Sequence, residues 1–432
     1  MTELAREPIG STWSNLRVRR GFQLLVLTAV AMAGIYARTT LGPIQETMRL
    51  ALALSDNQMA LLQGAALAVP LSVAAIPLGM AIDRYSRVRI LCLATALSLI
   101  GSLCTALSYS FSLLFLSRCL VGFAAPATAI AAFSVLADLF PAAQRGRATM
   151  AVVLGQSAGS SSAFALGGEL LAVTTGDPDS WRWAMFAMAA FLAPVLILSL
   201  TLREPPRRDV ITKSPPLREI APALWRYRGI LVVLLGAMCL VNLADGAVLV
   251  WAAPALARNF NLPPDRVGTI MAMALLVGGV SGPVVGGIVA DVCQSSGGPR
   301  RTVVVLSLLA LAGAPMSLFA VMPSVAWAIA PLVVFMALGT AISVMTTAVS
   351  IIVIPNELRG LCVSVKFAAA MFFGLGLAPL TVSLLSGSMG GPAMIGKALA
   401  VVCSATSILG AVTFVAGRRY FPKTLNPGDS SC

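Results

Sequence analysis

The chain has 432 residues, 58% of them hydrophobic and 11% charged, with a formal net charge of +13. An average soluble domain carries about 25% charged residues, so this apolar surplus calls for lipid rather than a water-facing shell. There is no histidine, which removes the commonest metal ligand and general base; with no phosphate-binding G-x-x-x-x-G-K-[ST] run either, the composition argues against an enzyme or a nucleotide-driven pump, and no cofactor or metal is expected.

Apolar runs of about 20 residues, enough to cross a bilayer core as a helix, recur along the whole chain. They fall near 22–41, 59–82, 88–108, 111–137, 148–173 and 183–202, and then near 229–256, 267–290, 302–322, 325–354, 361–386 and 394–417. The run from Phe22 is too long for a cleaved signal, and many more spans follow. The six-and-six division surrounds a polar, proline-rich break at 203–228, which reads as a linker that lets two bundles move. The expected plan is therefore an all-α membrane protein of twelve transmembrane helices. It has a tail at 1–21, bundles at 22–202 and 229–417, and a second tail at 418–432. The eight scattered cysteines form no C-x-x-C pair, so neither disulfides nor metal use is expected.

The basic charge is placed, not spread. With the N-terminus inside, 22 Lys and Arg residues fall in inner segments and 5 (Arg49, Arg182, Arg258, Arg266 and Lys397) in outer ones. This is a positive-inside pattern. It assigns the charge to orientation and anionic headgroups rather than to nucleic acid. Both termini then face the cytoplasm.

The two halves also repeat. Gly79-x-x-x-Asp83 at the end of the second span returns as Gly287-x-x-x-Asp291, and Pro141-x-x-x-Arg145-Gly146 returns as Pro355-x-x-x-Arg359-Gly360. Repeats at half the chain length are a feature of transporter folds. The glycine- and serine-rich stretches 155–168 and 277–287 allow close helix packing in lipid.

Gly79-x-x-x-Asp83-Arg84-x-x-Arg87-x-Arg89 resembles the signature loop of the major facilitator superfamily, with Ser86 in place of the usual glycine. Arg118-x-x-x-Gly122, Asp138-Leu-Phe-Pro141-x-x-x-Arg145-Gly-Arg147 and Trp181-Arg182-Trp183 also fit. Within that superfamily the chain is most similar to bacterial spinster-like transporters, on Tyr36-Ala37-Arg38, Leu54-Ser55-Asp56-Asn57-Gln58 and Ile76-Pro77-Leu78-Gly79. The resemblance implies two pseudo-symmetric six-helix bundles whose first and seventh spans face each other across a central cavity. It also implies acidic residues where Ala37 and Ala125 stand, and the second of these is the expected proton-coupling position.

Ionisable residues at depth are functional candidates by default. Arg38 and Asp245 each lie 16 residues into their spans, about 24 Å from the inner face at 1.5 Å per residue. Arg118 lies 7 residues into an inward-running span, about 10 Å below the outer face. These depths predict one polar layer. In it Arg38 grips an anionic group through its planar fork, and Asp245, with Asn242 one turn before it, pairs with Arg38 or Arg118 in the empty site. The blander alternatives are that Arg38 snorkels outward and that Arg118 braces its own bundle. Tyr36, Gln63 and Gln156 are uncharged candidates for lining the cavity. Glu169 is a candidate substitute proton site or a solvated helix end, and Lys366 an inner-gate or snorkelling cation. The resemblance assigns Gly79, Asp83, Arg84 and Arg87, with Arg145, Asp291 and Arg359, to a cytoplasmic gate. There a carboxylate near the start of span eleven gains from that helix N-terminus.

The expectation is a secondary transporter, in the cytoplasmic membrane of a bacterium, working as a monomer. Its partners are a small or amphipathic organic anion, a coupling ion (the proton first) and membrane lipids. A sialin-like organic-anion:proton symporter and a multidrug exporter are the alternatives.

Overall fold

The computed structural model describes residues 9–174, 177–206, 225, 227–354, 365 and 368–422. Among them there are helices and no strand, as lipid demands of chains that must satisfy every backbone group internally. The first span is α1 (Ile9–Thr39) continued by α2 (Leu41–Ala51). The helix breaks at Thr40, three residues before Pro43, which has no N–H to offer the Thr39 carbonyl. The second span is α3 (Asp56–Gln63), opened by a Ser55–Gln58 capping box, and α4 (Ala65–Arg84). These meet at Gly64, where a Cβ would crowd the carbonyls of Ala60, Leu375 and Gly376. Then come α5 (Arg87–Ala106), α6 (Phe111–Leu139), α7 (Ala142–Val173), and α8 (Ser180–Ala190) continued by α9 (Leu192–Ser199).

The second half opens with α10 (Arg228–Phe260), ended by left-handed Asn261, a residue type tolerated in that conformation. Next, α11 (Pro264–Met316) is broken at Gly298 (φ 65°, ψ −166°), a conformation open essentially to glycine alone, so it crosses twice. α12 (Val325–Val353) follows. A π-helical turn at Met371–Leu377 then leads into α13 (Ala378–Ser388), and α14 (Ile395–Gly417) closes the bundle. Nine helical stretches among the described residues are long and apolar enough to cross a membrane. With the second span α3–α4, the more polar α7, and α11 crossing twice, the described residues account for twelve spans.

The hydrophobic cores reveal how the bundles sit. Toward the termini there are two separate cores. One is built around Val26, Leu91 and Val135, the other around Val233, Leu306 and Phe414. Toward the opposite end a single core joins Tyr36, Met59 and Trp181 of the first half with Val248, Trp251 and Leu375 of the second. The seam between α7 and α11 runs from Gly168 against Gly268 to Ser157 against Gly279, and Ser161 Oγ donates to the Ala272 carbonyl at 2.8 Å. At the terminal end, a Cβ on Gly79, Gly146 or Gly287 would meet nothing within 4 Å. Among the described residues, one core joins the bundles at the end far from the termini, and each bundle has its own core at the end near them.

Candidate functional site

The break at Thr40 leaves carbonyls at the end of α1 that accept further partners. Arg118 of α6 takes them, donating Nη1 to the Ala37 carbonyl at 3.3 Å and Nη2 to the Arg38 carbonyl at 2.6 Å. Arg118 is fully buried. It therefore braces the first span from within its own bundle, the blander of its two expected roles, and brings a second positive charge beside Arg38. Arg38 lines a small cleft with Thr39, Gly42, Gln63, Leu67, Leu249, Val250 and Leu375. That cleft faces α10 and the π turn, so Arg38 looks across the molecular axis rather than out to headgroups. The Nε atoms of Arg38 and Arg118 and Nε2 of Gln45 are buried without a hydrogen-bond partner. Gln45 in turn accepts from Gln63 Nε2. Neither arginine has an acidic partner among the described ion pairs. A half-buried and a buried cation thus lie side by side with idle donors and no counter-charge among the described residues.

Asp245 corrects the expected polar layer. It sits at the predicted depth but points into the C-terminal bundle, against Gly339 of α12, in a pocket with Leu309, Phe335, Ile342 and Ser407. It pairs with neither Arg38 nor Arg118 among the described residues. Rise per residue fixes depth, whereas each residue also turns the side chain by a fraction of a turn; the two carboxyl and guanidinium groups share a level and not a face. Asn242 donates to the Met238 carbonyl of its own helix. Tyr36 is likewise turned away from the cavity. Its hydroxyl donates to the Met188 carbonyl at 3.2 Å and its ring packs on Phe191. Gln63 is buried in the Arg38 cleft, Gln156 is half-buried, and Glu169 is exposed at the end of α7.

The expected cytoplasmic latch is partly redrawn. Arg87 is buried and bonds within its own bundle, to Asp138 at the end of α6 and to Glu204 just after α9, with Nε–Oε1 at 2.9 Å. Glu204 accepts the backbone N–H of Arg87 and Val88 and the Ser86 hydroxyl. It thus caps the N-terminus of α5, where a carboxylate is favoured. Burial pushes the Glu204 carboxyl up, but these hydrogen bonds outweigh it and hold the group below the usual carboxylate range. Ser86, in the place of the usual glycine, N-caps α5. Arg145 Nε donates to the Phe140 carbonyl, closing α6. Arg84 and Asp291 are exposed. The Asp83 side chain, Arg359 and Lys366 lie outside the described residues.

The strongest cross-bundle polar contact is one that sequence reasoning left among the outer-loop charges. Arg258, near the end of α10, donates Nε and Nη2 to Glu46 of α2 at 3.0 and 2.8 Å. It also donates Nη1 and Nη2 to Asp56 of α3 at 2.8 Å each, and Nη1 to the Pro392 carbonyl. Arg49 binds the same two carboxylates at 2.7 and 3.6 Å. Two arginines and two carboxylates form a neutral box that ties the bundles at the end far from the termini. The partners are 202 and 212 residues apart, and no periodicity links them.

A family model of the Major Facilitator Superfamily matches residues 24–251. Among curated proteins, the chain is 26% identical over 245 residues to protein spinster homolog 1 of Xenopus laevis, covering 55% of this chain and 45% of that protein. It is 30% identical over 187 residues to the human protein of that name, covering 41% and 34%. It is 29% identical over 173 residues to an uncharacterized MFS-type transporter, Rv1877, of Mycobacterium tuberculosis, covering 40% and 23%. The matches thus span less than half the length of these relatives. Among solved structures, a bacterial homolog of the human lysosomal transporter Spinster, inward-facing and unoccupied, superposes with a TM-score of 0.76 at 21% identity, over 93% of this chain and 96% of that one. A D-xylose-proton symporter gives 0.73 at 16% identity, over 93% and 99%. On the family match and the shared fold, this multi-pass membrane protein belongs to the Major Facilitator Superfamily of transporters.

Proposed function

We propose that the chain is a secondary carrier for an organic anion, whose carboxylate or phosphate binds Arg38 while Arg118 holds that arginine from behind. The observation that carries the reading is the pair of buried guanidinium Nε atoms without partner or counter-charge. An unpaired buried cation costs several kcal/mol, which an incoming anion returns as binding energy. Among the described residues no acidic side chain lines the Arg38 cleft, which disfavours cationic drugs as cargo. The apolar wall of Leu67, Leu249, Val250 and Leu375 suits an amphipathic molecule such as a lysolipid, in keeping with the spinster-like relatives.

With the positive-inside orientation, both termini are cytoplasmic, in the inner membrane of a bacterium. The box around Arg258 is then the outer gate, and the described state is open to the cytoplasm. Gly79, Asp83, Arg84, Asp291 and Arg359 would meet when the inner end closes, with Arg87 and Arg145 holding the loop from within. The two bundles, 22–202 and 229–417, rock about the site, and a gradient, the proton's first, drives the cycle. A thermal-shift screen of lysolipids, sphingoid phosphates and carboxylates on the purified protein tests the reading. An anion at about 100 times its Kd stabilises by about 2.7 kcal/mol, and neutral analogues do nothing. Equal stabilisation by neutral or cationic analogues would overturn it.

A further inference from the structure

Of the 17 acidic residues, Asp245 is the one in the middle of a span; the others lie in loops, in terminal segments or near span ends. It is half-buried, and its surroundings are mostly apolar. Leu309 of α11, Phe335, Leu338 and Ile342 of α12, and the Ser407 hydroxyl of α14 line a space of about 20 Å³. No Lys, Arg, Tyr, Asp or Glu faces it from α10, α11, α12 or α14. The one titratable neighbour is the Cys403 thiol, which donates to the Ala244 carbonyl. A carboxylate ionised among such apolar neighbours, with no counter-charge lining the pocket, is disfavoured. The lining therefore favours the neutral acid, and the anion draws on water reaching its exposed part or on a shifted helix.

The pocket is also wired to the seam. The carboxyl rests against Gly339, where a Cβ would overlap both of its oxygens, and the next residue, Gly246, rests against the Gly374 carbonyl in the π turn. Such turns are frequent at functional sites. This one reaches the other bundle. The carbonyls of Leu375 and Gly376 lie about 3.0 Å from a Cβ placed on Gly64, and one on Gly376 would lie 3.2 Å from that of Ala68. Leu375 also lines the Arg38 cleft, as does Leu249, one helical turn beyond Asp245.

We propose that Asp245 is the site where this carrier takes up its driving proton, held in the C-terminal bundle apart from the anion, and that the π turn relays its charge state to the inter-bundle seam. The proposal rests on the carrier reading above, but not on the identity of its cargo. A proton from water on one side adds to a carboxylate oxygen and neutralises it. Helix α10 then closes on Gly339, and release of the same proton to water on the other side restores the anion and reopens the pocket.

The test needs no substrate. Infrared difference spectra of the full-length protein in lipid, recorded across a pH titration, should show the carbonyl stretch of a buried, protonated carboxyl. That band should shift when the protein is grown with aspartate labelled at its side-chain carboxyl, and vanish in Asp245→Asn. In the same membranes, a cysteine replacing Gly146, in a background without other cysteines, should react with an impermeant maleimide at a rate whose pH dependence departs from that of a free thiol, and Asp245→Asn should return it to the free thiol's own pH dependence. A band that persists in Asp245→Asn, a band insensitive to aspartate labelling, or an unlabelled wild type with no such band would overturn the assignment. Unchanged pH dependence of labelling would overturn the relay. The isotope experiment uses the wild type, so the assignment stays testable if the variant does not fold. Failure of the anion screen would leave these outcomes intact and overturn the cargo reading alone.

Discussion

Arg38 and Asp245 occupy equivalent places in the two repeats, 207 residues apart, yet their neighbourhoods are opposites. Arg38 faces the axis beside a second buried guanidinium, with donors left idle. Asp245 faces inward to its own bundle, in a largely apolar pocket with a thiol and a hydroxyl nearby. Duplication supplied the same helix, the same depth and the same glycine-lined packing. Divergence then put a cation on the axis in one copy and an acid off it in the other. Opposite charges at one level in a membrane need not be a pair; in the proposed carrier their separation would keep the anion site and the proton site from neutralising each other.

The largest effect should come from removing the axial cation. Arg38→Ala should weaken anion binding on the order of 100-fold, the scale of truncating a buried charge-assisted contact. Isothermal titration with an anion from the screen measures it. Next is the tie between the bundles. Arg258→Ala leaves Glu46 and Asp56 facing only Arg49 and should destabilise the closed end by about 1–3 kcal/mol, discounted for partial exposure. Maleimide applied from that side should then label a cysteine at Leu249 faster than in the parent; an unchanged rate would remove the gate from the account. Gly246→Ala forces a methyl onto the Gly374 carbonyl. It should cost about 1–3 kcal/mol of stability through overpacking, read as a lower melting temperature. A neutral result would detach the π turn from α10.

The smallest effect belongs to Glu204. Its folded-state pKa lies below its unfolded value. Its contribution is therefore fully present above the unfolded pKa and is lost as pH falls through the folded one. Glu204→Gln should lower stability by under about 1 kcal/mol at neutral pH, since the side chain is 34% exposed. The gap to wild type should narrow on acidification. A gap that widens would have the wrong sign.

The spans were legible because a bilayer imposes one length on every apolar run. The breaks at Thr40 and Gly298 had local signals in Pro43 and in a Gly-Gly-Pro run at 297–299. What escaped was whatever depends on azimuth or on distant partners. Asp245 was placed at the right level and on the wrong face. Tyr36 was read as cavity-lining although its hydroxyl is spent on Met188. Arg258 and Glu46 are 212 residues apart, and Glu204 caps a helix 116 residues earlier in the chain. Only the packed helices bring such groups together.

The most direct measurement is the thermal stabilisation of wild type, Arg38→Lys and Arg38→Ala by one amphipathic anion and its uncharged analogue. The account predicts a clear shift of wild type by the anion alone. A smaller shift should remain in Arg38→Lys, which keeps the charge without the planar fork, and none in Arg38→Ala. An anion shift that survives in Arg38→Ala, or an uncharged analogue that stabilises the wild type equally, would contradict it.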